Sequence, residues 1–122
     1  MIDDEVSINF HRQAHTLVVP IPEPLSDTVV SVLERDILPV LKNQALTSIV
    51  FDFGAVDSID THSLKRCQQL FDGARLLGAQ VALAAFRPHV AATCVELGDC
   101  FEDVLVARSV HTAIKRLSKD TA

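Results

Sequence analysis

The sequence contains no tryptophan and no tyrosine, and phenylalanine, tyrosine and tryptophan together make up only 5% of its 122 residues. So few stacking platforms argue against single-stranded nucleic acid as a ligand and point to a core of aliphatic side chains. Basic residues are also scarce, 11 against 16 acidic ones, for a net charge of −5. The only adjacent basic pairs are Lys65-Arg66 and Lys115-Arg116. This is no footprint for a phosphate backbone, so protein partners are expected and nucleic acid is not.

Cysteine is limited to Cys67, Cys94 and Cys100, an odd number without a C-x-x-C pair. With no basic and apolar leader after Met1, this predicts a reduced, cytoplasmic protein. No apolar run approaches the ~20 residues of a bilayer-spanning helix, so no membrane association is expected. The four glycines stand singly, and Gly54 lacks the Lys-Ser/Thr that completes a phosphate loop. His11 and His15 straddle a turn, while His62, His89 and His111 are scattered near helix starts. None has ligand spacing, so neither a metal nor another cofactor is expected.

What remains is an ordinary globular composition, 48% hydrophobic and 22% charged, over a length that suits one domain spanning residues 1–122. Val6 to Phe10 alternates apolar with polar as a half-buried strand does, His11 to His15 reads as a turn, and Thr16 to Val19 as its antiparallel partner. Pro20, Pro22 and Pro24 then predict an extended loop from Ile21 to Leu25. Ser26 or Asp27 caps a helix with Val29, Val32, Leu33, Ile37, Val40 and Leu41 on one face, and Pro39 predicts a kink near Asp36 or an early end.

Ile49 to Phe53 is the next strand. Leu64, Cys67, Leu70, Phe71, Ala74 and Leu77 mark the buried stripe of a second helix, with Lys65, Arg66, Gln69 and Asp72 facing outward. Gln80 to Phe86 is apolar almost throughout, as a strand covered on both faces is. A third helix follows Arg87-Pro88 and carries Val90, Ala91, Cys94, Val95 and Leu97. Glu102-Asp103 leads into a strand at Val104 to Val106, and Ser109 caps a last helix with Val110, Ala113, Ile114 and Leu117 inward. Strands alternating with helices after an opening hairpin predict an α/β fold, one mixed and mostly parallel sheet of five strands with about four helices and right-handed crossovers.

The chemistry concentrates between Thr47 and Gly78, where a strand, a short loop and a helix start meet at Asp60-Thr61. Asp60 is placed to cap the helix, and Thr61 then stands on its first turn. A phosphate added there is tolerated because a helix N-terminus favours negative charge. Asp52, Asp57 and Asp60 cluster, but turn and cap roles account for them better than acid–base catalysis. Cys67 and Cys94 fall on inner helix faces and read as small hydrophobes. No enzymatic activity is expected.

The run Asp57-Ser58-Ile59-Asp60-Thr61-His62-Ser63-Leu64 resembles the STAS domain, the fold of anti-sigma-factor antagonists and of the cytoplasmic tails of sulfate transporters. The similarity continues as Leu77-Gly78-Ala79 and Arg87-Pro88-His89-Val90-Ala91-Ala92-Thr93-Cys94-Val95-Glu96-Leu97-Gly98. Within that family it looks most like the single-domain scaffold subunit of the stressosome, a reading favoured by the start at Met1 with no sensory domain before the strands. The resemblance implies a non-enzymatic protein that binds a serine/threonine switch kinase, joins larger STAS-containing sensor subunits in a homo-oligomer or large hetero-assembly, and is reset by a phosphatase. It further implies phosphorylation at Thr61, with Ser58, Ser63 and Thr93 as lesser candidates, Thr93 matching a position phosphorylated in sensor subunits. Asp57 and Asp60 form the switch loop and cap, and Lys65, Arg66 and Gln69 are the expected kinase-contacting residues. Asp-Thr is also the form seen in sensor subunits, where scaffold subunits more often carry Ser. A stand-alone antagonist that binds an anti-sigma kinase directly is the alternative. A receiver domain is a remote one, because Asp3-Asp4 precede the first strand and cannot supply its magnesium-binding acidic pair.

Overall fold

A computed structural model describes residues 8–98 and 104–120. Its elements are β1 (His11–Gln13), β2 (Thr16–Pro20), α1 (Asp27–Asn43), β3 (Ser48–Asp52), α2 (Thr61–Leu76), β4 (Gln80–Ala84), α3 (Pro88–Leu97), β5 (Leu105–Ala107) and α4 (Val110–Asp120). The five strands lie side by side in chain order. β1 pairs antiparallel with β2, and the β2–β3, β3–β4 and β4–β5 pairs are parallel. This is the mixed, mostly parallel sheet with four helices that the alternation of elements predicts.

The two faces of the sheet are divided by the twofold period of its strands. Leu17, Val19, Ile49, Phe51, Val81 and Leu83 point to the side covered by α1, α2 and α3 and form the larger core. Val50, Ala82, Ala84 and Ala107 point the other way, against Ala113 and Leu117 of α4. The small alanines on that second face let a single short helix pack close. A buried hydroxyl pair on that face, Thr16 Oγ1 to Ser48 Oγ at 2.7 Å, ties β2 to β3. On the larger side Phe71 of α2 meets Phe51 at 5.1 Å between ring centroids, and Phe53 meets Phe86 edge-on at 5.0 Å. These rings anchor the start of the segment that follows β3.

Several boundaries differ from the sequence reading. The hairpin turns at Ala14-His15, not across His11 to His15, because Ala14 takes φ +55° and lets His11–Gln13 pair directly with Thr16 to Val18. Ile8 and Phe10 instead pack against the core ahead of the strand, while Val6 and Ser7 lie outside the described residues. Pro20 closes β2, yet the Ile21 N–H still donates to the Asp52 carbonyl at 2.8 Å, so the ladder outlasts the proline by one residue. α1 continues through Pro39 to Asn43 without an early end. β4 ends at Ala84, two residues before Phe86, because Ala85 enters the left-handed region at φ +65° and breaks the extended run. Leu77 and Val95 are 41% and 79% exposed: Leu77 is the C-cap of α2, and Val95 lies on the outer face of a helix whose buried residues are Val90 and Cys94. The last strand begins at Leu105, and Glu102-Asp103 and Cys100 lie outside the described residues.

Candidate functional site

At the C-terminal end of β3 the chain leaves the sheet with the Phe53 N–H still bonded to the Ala84 carbonyl at 2.9 Å. Asp52 then folds its carboxylate back to accept the Gly54 N–H at 2.8 Å. A Cβ on Gly54 would lie 3.0 Å from that same Asp52 oxygen, so a larger residue there would press the carboxylate back by a few tenths of an ångström. The loop that follows is held from both sides. Glu23, from the segment between β2 and α1, accepts the Asp57 N–H at 2.9 Å. Arg87, from the segment between β4 and α3, donates through Nε to the Gly54 carbonyl at 2.8 Å and through Nη1 to the Asp57 carboxylate at 3.4 Å. Val56 and Ile59 turn inward and are buried, which pins the loop from beneath.

The loop ends at the helix cap. Asp60 is extended, with φ −94° and ψ 169°, and its Oδ1 accepts the Ser63 N–H at 2.7 Å. That backbone bond, helped by the Ser63 hydroxyl, holds the Asp60 carboxyl below the usual carboxylate range. Thr61 opens α2 and is exposed. Beside it, His62 Nε2 contacts the Asp27 carboxylate at 2.9 and 3.0 Å, joining the first turns of α1 and α2. The Asp27 carboxylate, by that hydrogen bond and then by its charge, raises the His62 pKa.

The candidate hydroxyls are therefore not equivalent. Thr61 and Ser58 are both exposed, Ser58 on the loop and Thr61 on the helix. Ser63 is buried to 7% exposure and its groups serve the Asp60 cap. Thr93 Oγ1 donates to the His89 carbonyl at 3.2 Å within α3, a different helix, and is half-buried. Asp57 and Asp60 both sit where the loop and cap reading placed them. Lys65 and Gln69 are exposed on α2.

Arg66 is different from the outward-facing residue that helical spacing predicts. Its guanidinium spans to α1 and binds Glu34 at 2.8 and 2.9 Å, with Ser31 Oγ and Gln69 Oε1 each at 3.2 Å. Its side chain is only 20% exposed. Glu34 in turn is held below the usual carboxylate range by its hydrogen bonds to Arg66. The helical wheel places Arg66 off the buried stripe, but α1 packs alongside and covers that flank. Glu23 and Glu34 gave no signal in the sequence and Asp27 only that of a candidate cap, because each acts across more than thirty residues of chain. Arg87 stood out only as the lead into the third helix and the first residue of the second run that carries the family resemblance.

Among the described residues no three histidine, cysteine or acidic side chains converge as a metal site. Among them, too, no helix is long and apolar enough to cross a membrane.

The chain thus sets a capped helix start with an exposed hydroxyl at the C-terminal edge of a mostly parallel sheet behind an antiparallel hairpin, an α/β class of domain. The STAS domain model matches residues 7–113, and the chain belongs to the STAS family. The RsbT co-antagonist protein RsbRC of Bacillus subtilis (strain 168) is 32% identical over 69 residues, which are 57% of this chain and 24% of that protein. The chain thus matches about a quarter of the length of that curated relative. RsbS of Moorella thermoacetica, solved as a serine-to-glutamate variant, superposes with a TM-score of 0.80 at 22% identity over 93% of this chain and 97% of that one. A chain from the molecular architecture of the stressosome gives 0.80 at 23% identity over 93% and 98%. The anti-sigma-factor antagonist SpoIIAA in its unphosphorylated form gives 0.68 at 14% identity over 92% and 98%. These likenesses establish the STAS fold of antagonists and stressosome subunits.

Proposed function

We propose that this chain is a non-enzymatic, cytoplasmic scaffold subunit of a stressosome, acting as a single STAS domain over residues 1–122. It binds a serine/threonine switch kinase and releases it when Thr61 is phosphorylated, and a phosphatase resets it. The observation that carries this reading is the exposure of the Thr61 hydroxyl on the first turn of α2, directly after the Asp60 cap. A phosphate there carries about −1.5 to −2 charges at neutral pH, and the helix N-terminus tolerates it without unfolding the domain. The partner meets a different surface. A kinase seated on a neutral hydroxyl now faces a dianion beside Asp60, and like-charge juxtaposition at an interface costs several kcal/mol, roughly.

Lys65 and Gln69, exposed on the same helix, are the residues proposed to touch the kinase, together with the edge of Arg66 that Glu34 leaves uncovered. The likeness to both RsbS and the assembled stressosome supports co-assembly with larger STAS-containing sensor subunits and needs no cofactor. The likeness to SpoIIAA supports a second reading, a stand-alone antagonist of an anti-sigma kinase using the same hydroxyl. Incubation with the cognate kinase followed by phosphosite mapping tests the core of the proposal: label is expected on Thr61 and absent from Thr61→Ala, which retains the kinase. Label on Ser58 or Thr93 with none on Thr61 overturns it. Sedimentation with a sensor subunit separates the two readings, since a scaffold enters a very large particle and a stand-alone antagonist forms a small complex.

A further inference from the structure

α1 and α2 start side by side, as the Asp27–His62 contact shows, and run in the same direction. Their C-terminal halves therefore meet at the end of the domain away from Thr61, and α2, with 16 residues, is about 24 Å long. At that far end an open groove of about 570 Å³ is lined by Leu38 and Pro39 of α1 and by Gly73, Leu76 and Leu77 at the end of α2. Leu76 is 88% exposed and Leu77 41%. A single exposed leucine is unremarkable on a protein surface, but two adjacent ones on the lip of an apolar groove form a patch of the kind that marks a contact. Gly73 shapes the floor: a Cβ there would lie 3.2 Å from Leu38 Cδ1, so bare backbone lets the leucine close over the gap between the helices.

The rim has a sign. Arg35 and Lys42 line the groove with one carboxylate, Glu34, which is already doubly bonded to Arg66. The nearby acids are also engaged, Asp36 with Arg35 at 2.9 Å and Asp72 with Arg75 at 3.6 Å. Arg35 is taken up in the first of those pairs, so in a chain of net charge −5 this end offers leucines beside Lys42 as the rim cation outside them. We propose that the groove is a docking site for an amphipathic helix of a partner protein, one that presents large apolar side chains at i, i+3 and i+7 flanked by carboxylates. Such a helix lays its apolar stripe along the leucines and an acid of its flank against Lys42. The site stands whether or not Thr61 is the phosphoacceptor, and a partner can occupy both ends of the α1–α2 layer at once.

The test uses two synthetic helical peptides about four turns long, with the same leucine stripe and either glutamate or lysine flanking it, titrated into isotope-labelled protein. The glutamate peptide is expected to shift the amides of Gly73, Leu76 and Leu77, to leave that of Thr61 unmoved, and to bind about tenfold tighter than the lysine peptide. Leu76→Glu, at an exposed position that the fold does not need, is expected to abolish the shifts while the remaining spectrum stays native. Equal binding of both peptides, shifts centred elsewhere, or no binding by either overturns the proposal. So does sedimentation showing that the protein self-associates and that Leu76→Glu makes it monomeric, because the occupant is then a second copy.

Discussion

Reversing the charge of Arg66 is the perturbation for which the structure most alters the expected result. On a plain helical wheel Arg66→Glu changes a surface charge and nothing else. In the folded protein the guanidinium makes two bonds to Glu34 at 2.8 and 2.9 Å, and the two side chains are only 20% and 30% exposed. Bidentate geometry and partial burial lift such a pair above the 0.2–1 kcal/mol of a loose surface bridge, to about 1–1.5 kcal/mol of coupling. Arg66→Ala is expected to cost about 1–2 kcal/mol, since it also uncovers packing surface, and Arg66→Glu about 2–3 kcal/mol, since it faces Glu34 with a like charge. For a domain of this size each kcal/mol lowers the melting temperature by roughly 3–5 °C. Urea unfolding of the wild type, Glu34→Ala, Arg66→Ala and the double variant closes a cycle that isolates the coupling, and a swap of Glu34→Arg with Arg66→Glu is expected to recover most of the loss. Acid adds a second check. The folded pKa of Glu34 is depressed below 4.5, so the pair's contribution is complete above the unfolded value and is lost as pH falls through the folded one. A coupling under about 0.3 kcal/mol, or a Glu34→Gln variant whose deficit persists unchanged in acid, refutes the reasoning.

His62 titrates above its ordinary 6.5 because Asp27 binds its protonated ring, so a magnetic-resonance titration is expected to show the raised value and its return toward normal in Asp27→Asn. The tie between the two helix starts is complete below the unfolded pKa and is lost as pH rises through the folded one, and an unshifted His62 would sink this account. Burial pushes the Cys67 thiol up to about 12, so alkylation mapped by mass spectrometry is expected at Cys67 only on unfolding, and rapid labelling of the native protein at pH 8 contradicts it. Ala45 is exposed at φ +52°, where an L side chain is strained, so Ala45→Gly is expected to raise stability by about 0.5–1 kcal/mol in urea, against a loss if chain entropy dominates.

Features written in local chain chemistry were readable without coordinates. The Asp60 cap, the Ser26 cap on Val29 and the Ser109 cap on Thr112 all formed as residue type and spacing imply. So did the sheet, because runs such as Ile49 to Phe53 and Gln80 to Ala84 are apolar on both faces. What stayed hidden depends on backbone torsions or on distant partners. Nothing in Ala14 or Ala85 announces a positive φ, and those two residues moved the hairpin turn and the end of β4. Of the kink near Asp36 or early end that Pro39 suggested, the early end does not occur, and α1 runs its full 17 residues. Around the site, Glu23, Glu34 and Arg87 acquire roles only once the sheet brings three separate loops and two helices together.

That convergence at the switch loop means its shape is borrowed. Gly54 and Asp57 are held by Glu23 and Arg87, thirty or more positions away on either side, and no short stretch containing Thr61 carries those holders with it. A peptide copied from this region would present the proposed kinase with the right letters in an unformed shape. With Thr61 as the acceptor proposed above, its recognition is expected to depend on the folded domain, and substitutions in the two flanking loops are expected to alter it while leaving every residue around Thr61 untouched.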